Sequence, residues 1–154
     1  MDKKSLFMAM YSKTHLGQDV VINVSGDSMF PYIKSGDTVN IEYCIDYCPG
    51  DILAFLYKNN GNEELILHRL LKIKDGYYIC KGDNSFRMEI VSERKIIGKV
   101  VKINGEIFKS CDREFLFNSY KIGLLFKQNA YNINKTVKTD EYRSYYNKYL
   151  SEKC

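Results

Sequence analysis

The chain has 154 residues, 45% of them hydrophobic and 27% charged, the composition of a globular protein of one domain with at most a small appendage. Its net charge of +4 is spread without a Lys/Arg block, which argues against a nucleic-acid partner. The longest apolar run, "ILAFLY" at 52–57, is far short of the roughly 18–20 residues needed to span a bilayer.

At the N-terminus two lysines precede "LFMAMY", an apolar core shorter than the about 7–15 residues of a secretory signal. The segment therefore reads as a first helix, and the protein as cytoplasmic. His15 sits just before Gly17 and reads as a surface or helix-end residue. Five cysteines, odd in number and irregular in spacing, fit a reducing compartment better than a disulfide framework. Cys44 and Cys48 have no second Cys/His pair to complete a zinc site, so no metal is expected.

From about residue 20 to 108 the pattern is β. "VVINV", "TVNIEY", "DILAFLY", "ELILHRLLKI", "YYICK" and "KIIGKVVKI" are β-branched or aromatic runs. The turn signals "KSGD", "CPGD", "KNNGNEE", "KDGY", "KGDN" and "NGE" separate them. The expectation is a mainly β, compact antiparallel domain. After about residue 110 the period changes. Phe115, Ser119, Ile122 and Phe126 mark one face of a helix, with Asp112 and Glu114 at its positive end. Tyr142, Tyr145, Tyr146, Tyr149 and Leu150 form a second amphipathic stripe. The chain thus divides into a β domain over 1–109 and a Tyr-rich helical extension over 110–154 that packs on it.

Within "VSGDSMFPYIKSGD", residues 24–37, Ser28 is held in a glycine-bounded turn. Gly, Asp, Ser and Pro make turns without any catalytic purpose. A serine hydroxyl needs a base to become a nucleophile, and the sequence offers two histidines. Of these, His68 lies in the apolar run "ELILHRLLKI", where a strand would be buried on both faces. Taken alone it reads as a core histidine. Asp83, in "KGDNS", and Glu89, six residues later, are each able to fix an imidazole tautomer. Asp27, Asp37 and Asp51 adjoin glycines and read as turn residues.

Taken together, "GDSMFPYIKSGDTVNI", "CPGDILAF", "LHRLLKI", "YYICKGDNS" and "KIIGKVVKI" resemble, in that order, the catalytic core of type I signal peptidases and LexA-type self-cleaving repressors. The resemblance covers about residues 20–103. It implies that Ser28 is the nucleophile. Bacterial signal peptidases and LexA-like proteins place a lysine base where this chain has His68-Arg69. Endoplasmic-reticulum and archaeal signal peptidases have a histidine there, so the resemblance implies a Ser28/His68 pair, with Lys72 and Lys74 as fallbacks past the matching position. Asp83 is expected as a structural and site aspartate. Both Asp83 and Glu89 stay open as the partner of His68, since the histidine-type enzymes carry an acid at the latter spacing. Asp27, Met29 and Pro31 are expected beside the nucleophile as substrate or oxyanion contacts. No cofactor is implied.

The implied function is a soluble serine endopeptidase that processes a precursor or leader peptide, with the tail reading the leader. Signal peptidases carry a transmembrane tether and LexA-type repressors a DNA-binding domain, and neither is visible in these residues. The rival readings are a non-catalytic peptide-binding module and a self-cleaving regulator. Peripheral membrane contact is compatible with the charge and the amphipathic tail.

Overall fold

The computed structural model describes residues 2–130, the side chains of 128–130 excepted. The second amphipathic stripe, at 142–150, lies outside the described residues. Helix α1 (Lys3–His15) starts on Asp2, whose carboxylate accepts from the Ser5 N–H at 2.7 Å. Phe7, Met10 and Thr14, at helical spacing, are its buried residues, and the Thr14 hydroxyl anchors it to the Ile97 carbonyl at 2.9 Å.

The strands are β1 (Val20–Asn23), β2 (Thr38–Glu42), β3 (Ile52–Asn59), β4 (Asn62–Lys74), β5 (Tyr77–Lys81), β6 (Met88–Ser92), β7 (Ile96–Ile103) and β8 (Glu106–Ile107). They form one antiparallel sheet in the order β1-β2-β7-β3-β4-β5-β6, with β8 on β7. The turns Asn60-Gly61, Asp75-Gly76 and Asn104-Gly105 all have positive φ at both residues. That is the geometry whose twist matches a two-residue hairpin, and it is why Asn-Gly and Asp-Gly occur there.

Strand β3 is buried on both faces, and alternation sorts its side chains into two cores. Ile52, Ala54 and Leu56 join Met10, Val39 and Ile97 on one side; Leu53 and Phe55 join Leu70, Cys80 and Val91 on the other. Helix α2 (Arg113–Ala130) has its first turn capped by Asp112, which accepts from the Phe115 N–H at 2.8 Å. Phe115, Ser119 and Ile122 are buried, the face that the period of the sequence marks. Among the described residues no helix is long and apolar enough to cross a membrane.

Candidate active site

The register of β4, β5 and β6 decides which charged groups meet. Arg69 pairs with Lys81 and Lys81 with Met88, so these three share one face of the sheet. Leu70 pairs with Cys80 and Cys80 with Glu89, which places Glu89 on the opposite face, where alternation also puts His68. There His68 Nδ1 stands 2.9 Å from Glu89 Oε1, both side chains less than a tenth exposed. On the first face Arg69 makes a two-pronged pair with Asp83, Nε to Oδ1 and Nη2 to Oδ2, each at 2.8 Å and fully buried. Arg69 also donates to the Gly50 carbonyl at 3.0 Å, and its guanidinium lies 4.7 Å from the Tyr32 ring and 5.5 Å from the Phe115 ring.

The two acids that the sequence leaves open therefore have different partners. Glu89 holds His68, and Asp83 holds Arg69. Glu89 Oε2 is buried and has no hydrogen-bond partner among the described residues. Its other oxygen, Oε1, is the one directed at the imidazole.

The loop between β5 and β6 brings the serine turn to the histidine. The Asn84 N–H donates to the Ser28 carbonyl at 2.8 Å, and Asn84 Nδ2 donates to the Asp27 carbonyl at 3.1 Å. Gly82 fills the space between them. A Cβ there would stand 2.6 Å from the Ser28 carbonyl oxygen, 2.9 Å from His68 Nε2 and 2.8 Å from the Ser85 hydroxyl. Only a glycine permits that approach. Gly82→Ala is expected to cost about 1–3 kcal/mol of stability through overpacking, read as a lower denaturant midpoint, and to weaken any Ser28 chemistry with it.

Ser28 is half-buried and lines a cleft of about 620 Å³ with Met29, His68, Glu89, Val24 and Leu67. Among the described residues no hydrogen bond joins the Ser28 hydroxyl to His68, whose contact is Glu89. Such bonds are often long in the free enzyme and tighten on substrate. Met29 is buried, and its sulfur accepts from the Asp83 N–H at 3.4 Å. The Phe30 N–H closes a turn onto the Asp27 carbonyl at 3.0 Å, and the chain reverses there. Asp27 is exposed, between the cleft-lining Gly26 and Ser28, and Pro31, after a cis peptide, lines a second groove with Tyr32, Lys34 and Phe108.

The fallback bases lie elsewhere. Lys72 and Lys74 are exposed, and Lys72 Nζ sits 5.4 Å over the Tyr120 ring of α2. His15 ends α1, stacked on Tyr11 at 3.8 Å. The Cys80 thiol is pushed well above its ordinary pKa, first by burial and then by the Glu89 carboxylate, so it stays protonated.

Sequence reasoning missed Lys81 as more than a motif letter. It is fully buried and donates to the Gly82 carbonyl at 2.8 Å and the Ser85 carbonyl at 2.7 Å, pinning the loop that carries Asn84. Burial lowers its pKa from 10.5 to about 7, against the nearby Asp83 and Glu89 charges, which raise it. The unfolded chain then binds more protons than the native one between about pH 7 and 10.5. The cost of burying this ammonium is absent above that window and grows as pH falls through it. From pH 7 to 9 the wild type is expected to gain on Lys81→Met by roughly 1 kcal/mol per pH unit, measured by denaturant unfolding at each pH.

The comparisons agree with this architecture. A search of curated proteins found no match. A family model described as Peptidase S24-like matches residues 3–101, from the start of α1 into β7, and so takes in Ser28, His68, Arg69, Asp83 and Glu89. The chain belongs to the Peptidase S24-like family, within the LexA and signal peptidase I type of serine peptidase superfamily.

Proposed function

We propose that the protein is a serine endopeptidase in which Ser28 is the nucleophile, His68 the general base and Glu89 the residue that orients His68. The observation that carries this reading is the His68 Nδ1–Glu89 Oε1 pair at 2.9 Å, with His68 Nε2 facing Gly82 beside the Ser28 main chain. Glu89 accepts the Nδ1–H and so leaves Nε2 with the lone pair a base needs. Ser28 Oγ attacks the peptide carbonyl carbon while His68 Nε2 takes its proton. The imidazolium, held by Glu89, then protonates the leaving amine. Water, deprotonated by the same nitrogen, releases the acyl group and restores Ser28. Backbone N–H groups of the serine turn supply the oxyanion donors.

The substrate lies extended against β4. Strand β5 pairs only with Arg69–Lys74, and among the described residues no strand covers the other edge of 62–68. The two-residue turn makes Asn59 and Asn62 a hydrogen-bonded pair, so Ile66 bonds to β3 while Leu65 and Leu67 present outward N–H and C=O groups. A peptide adding to that edge reaches Ser28 at the end of the cleft.

The finer assignment is a precursor or leader peptide cleaved in the cytoplasm. The free thiols at Cys44, Cys48, Cys80 and Cys111 support the compartment alone. Exposure of a diverse peptide library to the wild type and to Ser28→Ala, read by mass spectrometry, tests the proposal. Cuts are expected in the wild type alone. A folded wild type that cuts nothing, or cuts shared with Ser28→Ala, sinks it. Loss of precursor cleavage on deletion of residues 131–154 is the expected result if the tail reads the leader, and unchanged cleavage removes that role.

A further inference from the structure

Helix α2 lies beyond the residues that match the family, yet it touches the sequence neighbour of each member of the His68–Glu89 pair. Arg69 follows His68, and its guanidinium lies 5.5 Å from the fully buried Phe115 ring of α2. Met88 precedes Glu89, and its side chain packs on α2 at Gly123. A Cβ at Gly123 would stand 2.6 Å from Met88 Cγ and 2.7 Å from Met88 Sδ. Phe126 continues the contact by stacking on Phe86 at 5.9 Å. Neighbours on a strand point to opposite faces, so the face that α2 covers is the reverse of the face on which His68 meets Glu89.

We infer that α2 is a brace for the catalytic pair, with Phe115 and Gly123 as positioning residues that act through Arg69 and Met88. The inference rests on the Ser28/His68/Glu89 reading. Phe115 fixes the backbone of β4 through the Arg69–Asp83 pair. Gly123 lets α2 come close enough to fix the start of β6. The two strands are thereby held so that a histidine nitrogen and a carboxylate oxygen stay 2.9 Å apart. Small misplacements of such groups are costly in rate, about 100-fold for 1 Å in demanding cases.

Gly123→Ala tests this in the full chain. A Cβ at 123 meets Met88, so a merely structural role for this position predicts a loss of stability of the overpacking kind with unchanged chemistry. The brace predicts a kcat about tenfold lower with KM nearly constant, because the cleft wall is untouched. It also predicts faster solvent exchange of the His68 Nδ1 proton, followed by NMR on histidine-labelled protein, with exposed His15 as the internal contrast. Phe115→Ala is expected to act likewise, and Phe117→Ser, on the exposed side of α2, to leave both readouts unchanged. Wild-type kcat and wild-type proton exchange in folded Gly123→Ala overturn the inference. If the ring proton loses protection in Gly123→Ala while the wild type cleaves no peptide, the brace stands and the peptidase reading falls.

Discussion

Replacing Glu89 by Gln is expected to lower kcat by about 10⁴-fold while leaving the protein folded. A carboxylate only accepts hydrogen bonds, so it holds His68 with the proton on Nδ1 and the lone pair on Nε2. An amide can instead donate to Nδ1. The ring then carries its proton on Nε2, the nitrogen that has to take one from Ser28. The amide also brings no charge to stabilise the imidazolium. Stability is expected to move the other way. Glu89 is 5% exposed, and its second oxygen has no hydrogen-bond partner among the described residues. A neutral side chain is cheaper to bury there, so the melting temperature of Glu89→Gln should equal or exceed that of the wild type. Steady-state kinetics beside calorimetry separate the two effects. A fall in both together would mean that Glu89 is structural.

Asp83→Ala is expected to do the opposite, with stability as the quantity that collapses. Arg69 and Asp83 are both wholly buried, and removal of Asp83 leaves the Arg69 guanidinium without its carboxylate in a low-dielectric interior. The expected cost is about 3–5 kcal/mol, a melting temperature lower by roughly 10 °C for a chain of this size. The double change Arg69→Met with Asp83→Leu should recover much of that loss, because it removes the buried charge together with its carboxylate. If Asp83→Ala melts like the wild type, the pair is not the anchor of β4 described above.

These two variants also mark where the sequence was legible and where it was not. The hairpin turns were legible because Asn60-Gly61, Asp75-Gly76 and Asn104-Gly105 adopt the left-handed backbone that Asn, Asp and Gly tolerate. The α2 stripe was legible because Phe115, Ser119 and Ile122 repeat at the helical period. The allocation of acids was hidden by register. Whether Glu89 or Asp83 faces His68 depends on Cys80 pairing with Glu89 across a connection whose geometry the residue types do not specify. One signal was overlooked. An arginine inside "LHRLL" is on course for burial, and a buried arginine needs a carboxylate, which reserves one of the two acids for Arg69. The placement of β7 between β2 and β3 was equally hidden, because strands distant in sequence pair there.

The central claim is that His68, held by Glu89, activates Ser28. Its most direct test is phosphonylation by a peptidyl fluorophosphonate, with the adduct mapped by mass spectrometry in the wild type, Ser28→Ala, His68→Ala and Glu89→Gln. The account predicts a single adduct on Ser28 in the wild type and none in Ser28→Ala. It predicts labelling slower by about 10³-fold or more in the other two. A folded wild type that takes no label, or equal labelling of Ser28 with and without His68, would contradict it.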